Sequence, residues 1–188
     1  PGPLDPAAAA SLLRSALRCE APGETIDGYL AAFAAGGGIV EAWVDGEDKR
    51  SPSVQMRINP LGGLELISTH DQVLGGPSGQ IFLGSTFPAD PAYRGSLQDA
   101  GLRIGEVLRA RGVLGRFAID FVSVRQGTGW RHVAIEINLR KGGTTLPFQM
   151  LQFLTGGTCD ADGAFHTPVG AVRCYYATDN LARAAYRG

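Results

Sequence analysis

Between Gly115 and Gly143 the chain reads GRFAIDFVSVRQGTGWRHVAIEINLRKGG, two extended runs rich in β-branched and aromatic residues, broken by a polar, glycine-rich turn. This predicts a pair of antiparallel strands. The first carries Asp120, the second Glu136 and Asn138, and Arg140, Lys141 and paired glycines lie just beyond. Side chains two apart on a strand leave the same face, so Glu136 and Asn138 point one way while Ile135 and Ile137 point the other. Antiparallel pairing can bring Asp120 onto the Glu136 face as well.

Three oxygen ligands beside two cations suit a magnesium ion carrying a polyphosphate: carboxylates for the ion, Arg140 and Lys141 for the phosphate charge. The competing explanation is a solvated face of an amphipathic sheet. Phe117, Ile119 and Phe121 flank Asp120, and Val133, Ile135 and Ile137 flank Glu136, which predicts that both strands are buried on at least one face. Ala134 leaves little bulk on the other. A carboxylate pair in such a place must be matched by cations or hydrogen bonds.

The formal charge of −1 and the absence of a basic stripe, Lys49 and Lys141 being the only lysines, argue against nucleic-acid binding. An apolar run of membrane-spanning length is missing, and the PGPLDPAAAASLL opening lacks a signal-peptide pattern, so a cytoplasmic protein is expected. Cys19, Cys159 and Cys174 are scattered without paired spacing, as buried or free thiols would be.

Asp5 and Pro6 are placed to cap and open a helix through about Arg18, with Leu12, Leu13, Ala16 and Leu17 on one side. A second helix is predicted from about Thr25 to Gly36, stopped by glycines. Strands follow at IVEAWV, SVQMRI, LELISTHDQVL and GQIFLG, separated by turn clusters as in an antiparallel meander. Residues 91–111 form the covering helix, with Leu97, Leu102, Ile104, Val107 and Leu108 near helical spacing. Thr144 or Thr145 caps a last well-defined helix, through about Leu154. After it come a loop, a strand near Val172 to Tyr176 and a terminal helix from Asp179. This is an α+β chain, mainly antiparallel sheet covered by helices. Its divisions are a helical lead-in (1–38), a central domain (39–157) and a C-terminal extension (158–188).

The loop from Arg140 to Thr145 joins a strand end to a helix start, where glycines admit a ligand and the helix terminus favours anions. In IVEAWV, an open strand edge can offer backbone groups to an adenine ring, Glu41 can accept from its amine, and Asp48 or Glu47 can accept from ribose hydroxyls. A plain strand residue beside Trp43 is the simpler account of Glu41. His70, Asp71 and Gln72 form a polar cluster inside a strand pattern, open to a substrate contact or to a satisfied strand histidine. No GxSxG motif, Cys–His pairing or histidine metal pair supports a covalent nucleophile.

Taken in order, EAWVDG, SPSVQMRI, THDQVLGG, FAIDFV and AIEINLRKGGTT resemble the second half of the ATP-grasp carboxylate–amine ligases, most closely the bacterial peptide ligases of the pheganomycin type, over about residues 25 to 157. The resemblance implies the C-terminal subdomain of that fold, with ATP and Mg2+ as cofactors. It implies Asp120, Glu136 and Asn138 as metal ligands, Glu41 with the backbone of Ala42, Trp43 and Val44 as the adenine hinge, and Asp48, or Glu47 beside it, as the ribose contact. Arg140 would face the triphosphate or acyl phosphate, with Lys141 beside it.

The implied reaction phosphorylates a carboxylate with ATP and then joins it to an amine, the substrates being amino acids or peptides. Only about forty residues precede Glu41, none of them lysine, so the upstream half of the fold is expected elsewhere, in the same chain or another. Many relatives carry an arginine two residues before the metal Asp, where Ala118 stands here. Arg116, four before, would share the Asp120 face only in a regular strand. The alternatives are a degenerate, non-catalytic ATP-grasp module for nucleotide binding or partner docking, and an unrelated magnesium-dependent phosphoryl-transfer fold.

Overall fold

The computed structural model describes residues 5–21 and 23–178. It divides into two compact units: the described residues up to Trp43 together with Gly75–Ile81, and Val44–Leu74 together with those from Phe82 onward. The terminal helix predicted from Asp179 lies outside the described residues.

In the first unit, α1 (Pro6–Ala16) opens as its sequence predicts: the Asp5 carboxylate accepts from the Ala8 amide at 3.1 Å, and proline sits in the first turn, where no donor is needed. Helix α2 (Ile26–Gly36) is capped by Thr25, whose hydroxyl accepts from the Gly28 amide at 3.1 Å, and ends at Gly37 with φ 72°. Arg14 pairs with Asp27, and Glu20 accepts from the Ser78 amide at 3.2 Å. Neither helix buries a residue, so the apolar side of α1 at Leu12 and Leu13 is exposed.

The strand predicted for IVEAWV does not form; residues 37–46 have no regular secondary structure, and Ile39 and Val40 are exposed. A strand exists only through a ladder partner. A meander would place this segment beside SVQMRI, and that edge is taken instead by the distant run at residues 115–120.

The second unit contains β1 (Lys49–Arg50), β2 (Pro52–Ile58), β3 (Leu64–Gly75), β4 (Ile81–Phe87), α3 (Arg94–Ala110), β5 (Gly115–Gln126) and β6 (Gly129–Asn138). Helix α4 (Thr145–Thr155) follows, then β7 (Thr158–Cys159), β8 (Phe165–His166), β9 (Val172–Arg173) and β10 (Tyr175–Thr178). Antiparallel pairing gives the order β6–β5–β2–β3–β4–β10, with β1 beside β5 on the β2 edge. Strands β7, β8 and β9 form a small separate sheet.

Alternation sends Val54, Met56, Ile58, Phe117, Ile119 and Phe121 to one face, where Tyr93, Leu97 and Ala100 close a core around them. Gly101 and Gly105 let α3 approach β2 closely, since an added Cβ would meet Val54 Cγ1 and Met56 Cε, each at 2.9 Å. The sequence places Leu102 and Val107 on this face as well. They are 36% and 53% exposed, because the stripe of α3 that meets the sheet runs through Leu97, Ala100, Gly101, Ile104, Gly105 and Leu108, and these two lie to its sides.

A second cluster gathers Phe87, Phe148 of α4 and Phe165, with Tyr175 packed against it. The tail after residue 158 is therefore tied to the main sheet, through β10 pairing with β4 and Phe165 in this core.

Candidate functional site

Asp120 and Glu136 are direct partners across β5 and β6, and Asn138 stands opposite Ala118, two residues from Asp120. Asn138 Nδ2 donates to Asp120 Oδ2 at 3.2 Å. The three side chains share one face only because of an irregularity. Trp130 and His132 belong with the α3 face: Trp130 packs on its core, and His132 bonds Ser96 of α3 at 2.9 Å. Strict alternation from there would put Ala134, Glu136 and Asn138 on that face too. The register instead shifts between Asp120 and Phe121, where Ala134 opposes Phe121, Glu136 opposes Asp120 and Ile135 has no partner. This one-residue bulge turns Glu136 and Asn138 over to Asp120.

The expectation that both strands are buried holds for β5 and fails for β6. Phe117, Ile119 and Phe121 are buried, whereas Ile135 and Ile137 are 38% and 44% exposed and Glu136 is exposed. Among the described residues strand β6 is an edge with no further strand beside it; Glu136 is exposed while Asp120 is half-buried. Burial raises the Asp120 pKa above the usual carboxylate value, and the neighbouring Glu136 charge adds to this. Hydrogen bonds from Ser53 and Gln72 and the charge of Arg140 oppose the rise.

A divalent cation fits this donor set: two directly opposed carboxylates, one of them partly desolvated, and an amide give it hard oxygens and relieve their repulsion. Among the described residues no three His, Cys, Asp or Glu side chains cluster to hold an ion; the third oxygen-bearing side chain beside these two carboxylates is the Asn138 amide. Strand β5 is regular from Gly115 to Asp120 against β2, which puts Arg116 on the Asp120 face.

Beyond β6 the chain turns tightly. The Arg140 amide donates to Asn138 O at 2.8 Å, and its guanidinium donates to Lys141 O at 3.1 Å. The Gly142 amide donates to Thr145 Oγ1 at 3.1 Å, so this threonine pins the loop; Thr144 is the residue at the helix cap, without a side-chain capping bond. Arg140 and Lys141 are exposed. Asp48 pairs with Arg50 at 2.9 Å and Arg125 at 3.3 Å. Val44 O accepts from Lys49 Nζ at 3.4 Å. Glu41, Ala42 and Trp43 belong to the first unit, Val44 to the second.

The THDQ run divides between faces. His70 is fully buried among Phe87, Phe148 and Tyr175, with Nε2 2.8 Å from the Tyr175 hydroxyl. Burial lowers its pKa to about 3, so the ring is neutral near pH 7. Asp71 points to the α3 face, accepting from the Tyr93 hydroxyl and from the Asp90 amide at 2.8 Å. Gln72 returns to the Asp120 face. Ser53 and Gln55 escaped attention in the sequence, although polar residues at alternate positions of SVQMRI mark a second, polar face.

The IQCH-like ATP-grasp family profile matches residues 19–162. The chain belongs to that ATP-grasp family. It is 40% identical over 128 residues to the L-propargylglycine–L-glutamate ligase of Streptantibioticus cattleyicolor, covering 68% of this chain and 25% of the ligase. It is 26% identical over 132 residues to IQ motif-containing protein H of Danio rerio, covering 69% of this chain and 12% of that protein. The fold matches a biotin carboxylase complex with a β,γ-ATP compound from Campylobacter jejuni, at TM-score 0.51 and 18% identity, over 69% of this chain and 28% of that one. The chain therefore spans a quarter or less of the length of these two curated relatives, and its α+β arrangement is that of ATP-grasp proteins. No helix among the described residues is long and apolar enough to cross a membrane.

Proposed function

We propose that this chain is the nucleotide- and magnesium-binding part of an ATP-dependent carboxylate–amine ligase that makes peptide-like amides. The observation that carries this reading is the β6 bulge, which joins Glu136 and Asn138 to Asp120 immediately before Arg140. The relationship to a ligase named for two amino acids supports amino acids or peptides as the substrate class. The remainder of the ATP-grasp fold, in the same chain or another, completes the enzyme.

In the proposed reaction a carboxylate oxygen attacks the γ-phosphorus of ATP, the bond to the ADP oxygen breaks, and an acyl phosphate forms. The amine nitrogen then attacks the acyl carbon, the carbon–oxygen bond to phosphate breaks, and the amine loses a proton. Asp120, Glu136 and Asn138 would hold magnesium, which neutralises phosphate charge and orients the transferred group. Arg140 is assigned to the charge that develops on the transferred phosphoryl group, and Lys141 assists it. Glu41 with the backbone of Ala42, Trp43 and Val44 is assigned to adenine. Asp48 is assigned to the ribose hydroxyls, its two arginine partners holding the carboxylate in one orientation.

A second reading, a non-catalytic ATP-grasp module, draws support from the relative named for an IQ motif rather than for a reaction. Incubating the full-length protein with ATP, magnesium and a panel of amino acids and peptides separates the two. The ligase reading expects phosphate release together with a new amide by mass; ATP binding with neither product supports the module.

A further inference from the structure

We propose that Ser53 and Gln72 are positioning residues that hold the Asp120 carboxylate toward Glu136 and Asn138, an inference that rests on the magnesium reading above. Four polar residues lie in one row across the sheet: His70 opposes Ser53, Ser53 opposes Asp120, and Asp120 opposes Glu136. Gln72 follows His70 by two residues on the same face, and its strand is fixed there by a 2.9 Å bond from its amide to Ser51 O.

Gln55 Nε2 donates to Ser53 Oγ at 3.3 Å. That direction leaves the Ser53 hydroxyl proton for the next acceptor along the row, the Asp120 carboxylate. Ser53 stands directly opposite Asp120, hydrogen bonding from Ser53 and Gln72 holds the Asp120 pKa down against burial, and Asn138 Nδ2 donates from the opposite strand. All three donors are neutral. They fix the carboxylate without cancelling its charge, which an arginine at Ser53 would do, so the negative charge stays available to a cation. Ser53 is 1% exposed, so its place is set by packing rather than by solvent.

The test uses the 188-residue chain with Ser53→Ala, Gln72→Leu, Ser53→Thr and Asp120→Asn. The Asn138 side-chain amide, followed by 15N NMR without any ion, reports the orientation of Asp120. It is expected to shift in Ser53→Ala and Gln72→Leu and to return toward wild type in Ser53→Thr. Mn2+ affinity, followed by water-proton relaxation, is expected to fall about 10- to 100-fold in the first two variants with the melting temperature nearly unchanged.

Unmoved Asn138 signals in both variants overturn the proposal. So does unchanged Mn2+ affinity where Asp120→Asn abolishes binding. Equal Mn2+ binding by wild type and Asp120→Asn overturns the magnesium reading instead, and the ion-free Asn138 signals still decide whether Ser53 and Gln72 hold Asp120. Should Ser53→Ala not fold, Gln72→Leu, at a less buried position, decides the same question.

Discussion

The two faces of the central sheet are built from alternate residues of the same strands, yet around β2 they are filled by opposite chemistry. On the α3 face, Val54, Met56, Phe117 and Ile119 are buried at 0–1% exposure and close on an apolar helix surface. On the other, Ser53, Gln55, Ser68 and His70 are almost as deeply buried, at 0–6%, but polar. Burial of polar groups costs free energy unless hydrogen bonds replace water. Part of that cost is met: Gln55 bonds Ser53 and His70 bonds Tyr175. Ser68 Oγ and His70 Nδ1 have no hydrogen-bond partner among the described residues. The first face supplies stability, and the second accepts a stability cost to keep donors and acceptors in fixed places.

Four substitutions or conditions would break or sharpen that contrast. Glu136→Gln, in the full-length protein, should lower turnover by orders of magnitude, because one proposed ion ligand loses its charge without losing volume. Its melting temperature should not fall, since the change removes repulsion with Asp120; retained activity in a steady-state assay would end the ion assignment. Phe117→Ala should cost about 3–5 kcal/mol in chemical denaturation through the cavity it leaves in the α3 core, which would unfold a marginal domain.

Gly101→Ala is smaller in size but opposite in kind. Its new methyl would meet Val54, a stiff β-branched side chain, at 2.9 Å, so a loss of about 1–3 kcal/mol by the same method is expected; an unchanged midpoint would show that α3 moves freely over β2. A more gradual effect comes from pH. His70 has a folded pKa of about 3 against an ordinary value of 6.5. The folded state therefore binds this proton less tightly, so the stability tied to the neutral ring is fully present above pH 6.5. It should be lost at roughly 1.4 kcal/mol per pH unit as pH falls toward the folded value. A His70→Phe variant should lack that slope in urea titrations between pH 6 and 4, and an unaltered slope would place the titrating group elsewhere.

Much of the architecture was legible from residue pattern. The caps at Asp5 and Thr25, the strands SVQMRI and LELISTHDQVL, and the long helix ending near Gly112 are local features, each written in a few neighbouring residues. The segment IVEAWV has a strand's composition and forms none, because the edge of β2 that a meander would give it is taken by β5, from sixty residues further along the chain. Leu102 and Val107 have nearly the right period, but the contact with the sheet runs along Leu97, Gly101, Ile104, Gly105 and Leu108 instead. His70, Asp71 and Gln72 were visible as a polar cluster. Their division between two faces, and the Tyr175 partner 105 positions away, were not.

The sequence by itself determined that an acid on one extended run, and an acid and an amide on the next, stand beside Arg140 and Lys141, because residue identity and spacing are covalent facts. Whether those groups meet was decided only in the folded sheet. With strict alternation from Trp130, the same residues would lie against α3; a single unpaired residue, Ile135, reverses the parity of the strand beyond it. No local preference in β6 specifies that reversal. It follows from anchoring one end of the strand to the α3 core through Trp130 and His132, and the other to the polar row through Asp120.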